Sequence, residues 1–162
     1  MNHNIRYKGI LHNVLNDAPF IGAIIIAYNC HMSCKDCINE HLKKDVYTIS
    51  NSTSEIIEQV KLNSLNEGII LSGLEWTEQP DDLVELVQAA LADNLKVMVY
   101  THHTESDFFK IVPELRHRSI YVKFGLYELS LKHDQYFSHA VKLATTNQYI
   151  KYYGVEMINV DD

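Results

Sequence analysis

Short runs of apolar, mostly β-branched residues recur along the chain, and segments with the spacing of amphipathic helices lie between them. The strongest run, Ile24-Ile25-Ile26, has no polar interruption, which is typical of a strand buried on both faces of a parallel sheet. We predict strands over residues 20–28, 69–71, 95–100 and 119–126. Because strands and helices alternate, the sequence predicts an α/β fold with a mainly parallel sheet built from right-handed βαβ units.

Helices are predicted from capping residues and apolar spacing. They are expected over residues 54–66 after a cap at Ser52 or Thr53, from Pro80 to Asn94, and over residues 105–112 before Pro113. We expect residues 134–140 to form a loop or a short helix, and residues 148–158 to form one or two closing strands. No linker rich in proline, glycine or serine divides the chain, so one domain over residues 1–162 is expected.

Charge and hydropathy narrow the class of partners. The sequence has 14 Lys and Arg against 21 Asp and Glu, and this net charge of −7 argues against nonspecific binding to nucleic acid phosphates. The first long apolar run, Ala18 to Tyr28, is too short to span a bilayer. We therefore expect a cytoplasmic protein with neither a nucleic acid nor a membrane as its partner.

All three cysteines, Cys30, Cys34 and Cys37, lie in one C-x3-C-x2-C array directly after the first predicted strand. Thiolates are soft ligands that select zinc or an iron–sulfur cluster. A four-iron cluster held by three cysteines leaves one iron open to another ligand. A structural zinc ion with His31 or His41 as its fourth ligand is an alternative, and unligated core thiols are another.

Polar segments whose residue types can bind ligands or take part in catalysis follow the first three predicted strands. They are the cysteine array, then Ser72-Gly73-Leu74-Glu75, then Thr101-His102-His103. Ligands of parallel sheets collect at the carboxyl ends of the strands, so these segments are expected to converge on one edge.

The cysteine array resembles the signature of radical S-adenosylmethionine enzymes. This resemblance implies a small partial (βα) barrel in which Cys30, Cys34 and Cys37 ligate one [4Fe-4S] cluster and S-adenosylmethionine binds the fourth iron. The segment Ser72-Gly73-Leu74-Glu75 is similar to the superfamily's Gly-Gly-Glu segment, which receives the methionine amino group, with Leu74 in place of the second glycine.

Within that superfamily, the chain most resembles the small activating enzymes of anaerobic (class III) ribonucleotide reductase. The similar segments, in order, are Asp17-Ala18-Pro19, Cys37-Ile38-Asn39, Val99-Tyr100-Thr101, Lys123 to Tyr127 and Leu143 to Gln148. The resemblance implies that Thr101, His102 and Asn147 also lie near the cofactor. His102 stands where these activators have a glycine after the Tyr-Thr pair.

The activity implied by the resemblance is generation of a glycyl radical on a large reductase subunit. A flavodoxin- or ferredoxin-like donor would reduce the cluster, and cleavage of S-adenosylmethionine would yield a 5′-deoxyadenosyl radical that takes hydrogen from a glycine of the partner. No catalytic side chain is expected beyond the cluster ligands, because the cofactor carries the chemistry. The alternatives are a small radical enzyme with another target and a non-catalytic zinc or iron–sulfur interaction module.

Overall fold

A computed structural model describes residues 4–28 and 48–154 of the protein. Nine strands and three α-helices lie in this part of the chain. They are β1 (Asn4–Val14), β2 (Gly22–Ala27), β3 (Ile49–Ser52), α1 (Thr53–Leu62), β4 (Gly68–Ser72), α2 (Pro80–Ala92), β5 (Lys96–Tyr100), α3 (Glu105–Ile111), β6 (Tyr121–Phe124), β7 (Lys132–Ser138), β8 (Val141–Thr145) and β9 (Tyr149–Tyr152).

Seven of the strands form one sheet in the order β3-β1-β2-β4-β5-β6-β9. The four central strands, β2, β4, β5 and β6, run parallel to one another, while β1, β3 and β9 add antiparallel edges. The described strands form an open sheet, since β3 and β9 lie at opposite ends of it. The predicted α/β class with a parallel centre is therefore confirmed.

Local sequence signals account for the starts of the two longer helices. At α1, the Ser52 hydroxyl accepts a hydrogen bond from the backbone N–H of Glu55, and the Glu55 carboxylate accepts one from the Ser52 N–H. This reciprocal pair satisfies two of the donors that every helix start leaves open. At α2, Pro80 occupies the first turn, where its missing N–H costs nothing, and Asp81 and Asp82 lie near the positive end of the helix dipole.

The two faces of the sheet are covered differently. The three helices pack on one face, where Ile25, Leu71 and Val99 belong to the larger core cluster. The other face is covered by the β7–β8 hairpin, whose Val141 and Leu143 pack in a second cluster. The remaining buried members of that cluster are Ala18, Phe20, Ile24, Ile70, Met98 and Ile150.

The hairpin corrects the sequence analysis. Residues 134–140, predicted as a loop or a short helix, belong mostly to β7, which pairs antiparallel with β8. Most side chains of β7 are exposed, so the strand lacks the apolar alternation that would have revealed it. Its turn consists of His139 and Ala140, both at positive φ, as a two-residue type I′ hairpin requires.

Other boundaries also differ from the predictions. Strands β1 and β3 were not predicted, and α1 ends at Leu62, before the predicted end at Asn66. The backbone N–H of Asn63 bonds back to Val60, and the residues after it turn toward β4, so the helical ladder stops there. The predicted closing segment contains β9 at Tyr149–Tyr152, and its residues 155–158 lie outside the described part of the chain.

Among the described helices, none has both the length and the apolar character needed to cross a membrane.

Candidate functional site at the carboxyl edge of the sheet

The parallel register brings two of the predicted site segments to one edge. Ile26 of β2 lies opposite Ser72 of β4, Leu71 of β4 lies opposite Val99 of β5, and Tyr100 lies opposite Lys123 of β6. The segments that follow these strands therefore begin next to one another. Ser72, Gly73, Leu74 and Glu75 follow or end β4, and Thr101 and His102 follow β5, as the sequence analysis predicted.

Glu75 joins the two segments through its carboxylate. Its Oε1 accepts hydrogen bonds from His102 Nδ1 at 2.6 Å and from the backbone N–H of His102 at 2.8 Å. Its Oε2 accepts from the Thr77 hydroxyl at 2.7 Å and the Thr77 N–H at 3.1 Å. The Thr101 hydroxyl lies 3.2 Å from one oxygen and 3.1 Å from the other.

The direction of each hydrogen bond in this network follows from the acceptor at its centre. An ionised carboxylate only accepts, so the single hydroxyl protons of Thr77 and Thr101 are both donated to Glu75. The Thr77 oxygen then accepts from His103 Nε2 at 3.1 Å, and the Thr101 oxygen accepts from the His103 N–H at 3.2 Å. His103 is therefore assigned as the tautomer with its proton on Nε2.

The network shifts the pKa values of two of its members, Glu75 and His103. Burial on its own raises the pKa of the Glu75 carboxyl, but the hydrogen bonds and charge of His102 and the hydrogen bond of Thr77 outweigh burial and hold that pKa at about 2. Burial, followed by the charge of His102, lowers the pKa of His103. The centre of the site is therefore an ionised carboxylate, and the Glu75 side chain that carries it is only 3% exposed to solvent.

Glu75, His102 and His103 also offer ligand atoms that lie within 4.8 Å of one another, a distance compatible with a shared metal ion. The carboxylate, however, already receives donors on both oxygens, and a metal would have to displace them. The arrangement is better suited to holding the imidazole of His102 in one orientation.

Two residues of the β4 segment are packed inward. Gly73 has a φ of +93°, and a Cβ atom placed on it would lie 2.5 Å from Ile26 Cγ2. Only glycine allows the segment to approach β2 so closely in this conformation. Leu74 is buried in the larger core cluster with Trp76, whose indole N–H donates to the Ile25 carbonyl at 3.0 Å.

Asn147 reaches the same edge through β6. The N–H of Gly125, directly after β6, donates to the His103 carbonyl at 3.1 Å, and the Asn147 side-chain amide donates to the Leu126 carbonyl at 2.8 Å. The Asn147 Oδ1 atom is buried and has no hydrogen-bond partner within the described residues. It is therefore a buried acceptor that the described residues leave unsatisfied.

Cys30, Cys34 and Cys37, together with His31 and His41, lie outside the described residues. The last described residue before them is Tyr28, whose backbone N–H donates to the Gln79 side chain at 2.9 Å. The same Gln79 side chain donates to the Arg6 carbonyl at 2.9 Å, so it ties the exit of β2 to β1.

Sequence reasoning missed Thr77 and Gln79 as members of this edge. Thr77 lies two residues after Glu75, and Glu75 caps the short 3-10 turn Trp76–Glu78 by accepting from the Thr77 N–H. An acidic residue followed by a threonine before Pro80 is a weak capping signal, and nothing in the sequence links it to His103, 26 residues away.

Comparison with known proteins gives one family. Residues 21–139, about three quarters of the 162-residue chain, match the profile of a family described as a 4Fe-4S single cluster domain. The matched range contains the cysteine array and both segments joined by Glu75. No curated protein is similar enough to this chain to count as a match.

Proposed function

Because this chain belongs to the 4Fe-4S single cluster domain family, we propose that it is a radical S-adenosylmethionine activating enzyme. In this proposal, Cys30, Cys34 and Cys37 ligate one [4Fe-4S] cluster, and the enzyme generates a glycyl radical on a partner anaerobic ribonucleotide reductase. The observation that carries the proposal is the meeting of the β4 and β5 segments, through Glu75, at the edge where β2 leads into the cysteine array.

The residues present fit the proposed cluster and its cofactor. Three thiolates within eight residues are the soft donor set that an iron–sulfur cluster requires, and they leave one iron without a protein ligand. The array starts three residues after Ala27, the end of β2, and Ile26 of that strand pairs with Ser72 of β4. The buried acceptor at Asn147 Oδ1, which has no partner in the part of the chain that the structure describes, belongs to the same edge.

When bound, the cluster and S-adenosylmethionine would supply one-electron cleavage of a carbon–sulfur bond, which no protein side chain supplies. The chain's own residues then have positioning roles. Gly73 allows close backbone approach, the Glu75 network holds His102, and the Gln79 side chain holds the backbone at Tyr28. A donor of the flavodoxin or ferredoxin type would deliver the electron from outside.

The covering of the sheet supports a protein as the target. Val141 and Leu143 of the hairpin pack against the face of the sheet opposite the three described helices, together with Phe20 and Ile70. Side chains of the described residues thus pack over this face of the sheet. A glycine carried on the loop of a large partner can instead be presented at the carboxyl edge from outside.

The test is anaerobic reconstitution followed by assays on one preparation. Iron and sulfide analysis should give about four of each per chain. After reduction, the protein should cleave S-adenosylmethionine, and mixing with an anaerobic ribonucleotide reductase from the same source should give a glycyl doublet in electron paramagnetic resonance. Serine at Cys30, Cys34 or Cys37 should abolish cleavage, while the exposed control variant Ser130→Ala should cleave normally.

Each failure points to a different alternative. Stoichiometric zinc without labile sulfide would refute the cluster and favour a structural module. A reducible cluster without cleavage of S-adenosylmethionine would favour an electron-transfer protein. Cleavage without a glycyl doublet would retain the radical chemistry and refute the ribonucleotide reductase partner.

A further inference from the structure

Two cations of β1 lie beside the end of the strand that leads into the cysteine array. Ile5 and Tyr7 are buried in the larger core cluster, so Arg6 and Lys8 project from the opposite face of β1. Tyr7 pairs with Ala27, the last residue of β2, and the cysteine array begins three residues later in the chain. We refer to Arg6 and Lys8 as the β1 patch.

Aromatic and hydroxyl contacts hold the β1 patch in place. The Arg6 guanidinium carbon lies 4.1 Å from the centroid of the Tyr28 ring, and the Lys8 ammonium lies 5.7 Å from the same centroid, so both make cation–π contacts. Lys8 Nζ also lies 3.4 Å from the Thr48 hydroxyl oxygen. Tyr28 and Thr48 are the described residues on either side of the segment that contains the cysteine array. The β1 patch therefore contacts both flanks of that segment.

The Arg6 guanidinium retains donors for a partner. Arg6 is exposed, and no carboxylate within residues 4–28 and 48–154 lies at ion-pair distance from it. A guanidinium that lies over an aromatic ring still presents N–H groups at its edge, where they match both oxygens of a carboxylate. Because the whole chain carries a net charge of −7, an acidic partner is attracted only where cations are grouped locally.

We propose that the β1 patch is the docking site of the electron donor, and that the donor is a one-electron carrier protein with a carboxylate-rich face. This inference rests on the proposed function, since it names where the electron enters. The donor loses one electron and is oxidised, and the cluster gains that electron and is reduced. No covalent bond forms or breaks, and no proton is transferred.

The strand order favours the electron donor over the protein target as the occupant. Strand β1 lies on one side of β2, whereas β4 and β5, which lead to Glu75 and His102, lie on the other side. A donor bound to β1 can therefore approach the cysteine array without covering the edge at which the target must meet the cofactor. Because electron transfer slows steeply with distance, docking beside the strand that leads into the array also favours a short path.

The test variant combines Arg6→Gln with Lys8→Gln, which removes both charges and retains polar side chains of similar reach. The matched control combines Arg118→Gln with Lys110→Gln. These are also one arginine and one lysine, both exposed, and they lie in the last turn of α3 and before the start of β6. Both variants change the net charge by the same amount, so a difference between them reports the location of the charges.

Electron transfer is measured by anaerobic stopped flow on the reconstituted protein, with fully reduced flavodoxin as the probe and flavin absorbance as the signal. The Arg6/Lys8 variant should require a flavodoxin concentration about five- to thirtyfold higher than wild type for the half-maximal rate, as expected for the loss of two exposed ion pairs. Its maximal rate should be unchanged, and about 1 M salt should abolish the difference by screening. The control variant should behave like wild type, and dithionite should reduce all three proteins to the same extent.

Two further measurements locate the flavodoxin. Carbodiimide joins carboxylates to amines, so mass spectrometry of the cross-linked mixture should find Lys8 bonded to a flavodoxin carboxylate. Saturating S-adenosylhomocysteine, which is expected on the β4 and β5 side, should leave the half-saturating flavodoxin concentration unchanged.

The outcomes separate this inference from the proposed function. Equal losses in the test and control variants, no loss in the test variant, or a lower maximal rate at an unchanged half-saturating concentration would overturn docking at the β1 patch. Competition by S-adenosylhomocysteine would overturn it too, as would a wild-type cluster that dithionite reduces and flavodoxin does not. Reconstitution that yields no cluster reducible by dithionite would overturn the proposed function itself.

Discussion

Replacing Gly73 by alanine tests how the β4 segment is held against β2. The residue has a φ of +93°, a conformation that costs an L-amino acid about 1–2 kcal/mol. The added Cβ would also lie 2.5 Å from Ile26 Cγ2 and 3.2 Å from Ile26 Cα. Ile26 cannot move away without disturbing its parallel pairing with Ser72.

These two costs set the expected magnitude. Forcing an extra methyl group into a packed site costs about 1–3 kcal/mol, so Gly73→Ala should lower the free energy of unfolding by roughly 2–5 kcal/mol when conformational strain is included. The overlap depends on Ile26, whereas the strain does not. The two contributions are therefore separable by experiment.

The assay is a double-mutant cycle in anaerobic urea unfolding at neutral pH, with Gly73→Ala, Ile26→Ala and the double variant. In the Ile26→Ala background the overlap is relieved, so Gly73→Ala should cost only the strain of about 1–2 kcal/mol. Gly125→Ala is the control, because its φ is +109° but its nearest neighbouring atom would be 3.1 Å away. A cost of Gly73→Ala that is the same in both backgrounds would refute the overlap, and a neutral Gly73→Ala would refute both contributions.

Three further predictions concern single groups. Glu75→Gln should cost roughly 3 kcal/mol of stability near neutral pH, from a pKa held at about 2 against an ordinary 4.5. Because that pKa is lowered on folding, the difference in unfolding free energy from wild type should be full above pH 4.5 and should vanish as the pH falls toward 2. Urea unfolding of both proteins at a series of pH values checks this, with the exposed Glu58→Gln as the control. Ala140→Gly should stabilise the protein by roughly 0.5–1 kcal/mol in thermal unfolding, because glycine adopts the positive φ of +62° in the hairpin turn without strain. The control is Ala144→Gly in β8, which should destabilise the protein. Trp76→Phe should cost roughly 1–3 kcal/mol in urea unfolding, because it leaves the buried Ile25 carbonyl without the indole donor, and an unchanged midpoint would show that this bond contributes nothing.

Local patterns in the sequence determined the centre of the fold and the place of the site. The apolar runs that became β2, β4, β5 and β6 are continuous because both faces of these strands are buried, and this signal needs no knowledge of distant residues. Once the strands are parallel, the segments after Ser72 and Tyr100 must share one edge. The cysteine array was likewise identified from its spacing alone, and the match to a 4Fe-4S cluster family agrees with that interpretation.

Only the tertiary structure decided which atoms of that edge remain available. Whether the Glu75 carboxylate is open or occupied depends on donors from Thr101 and His102, more than 25 residues away, and no local pattern encodes their approach. The hairpin could not be predicted from the sequence for a related reason. Because β7 is mostly exposed, its own residues carry no strand pattern. Its pairing with β8 and the packing of Val141 and Leu143 on the sheet are set by long-range burial.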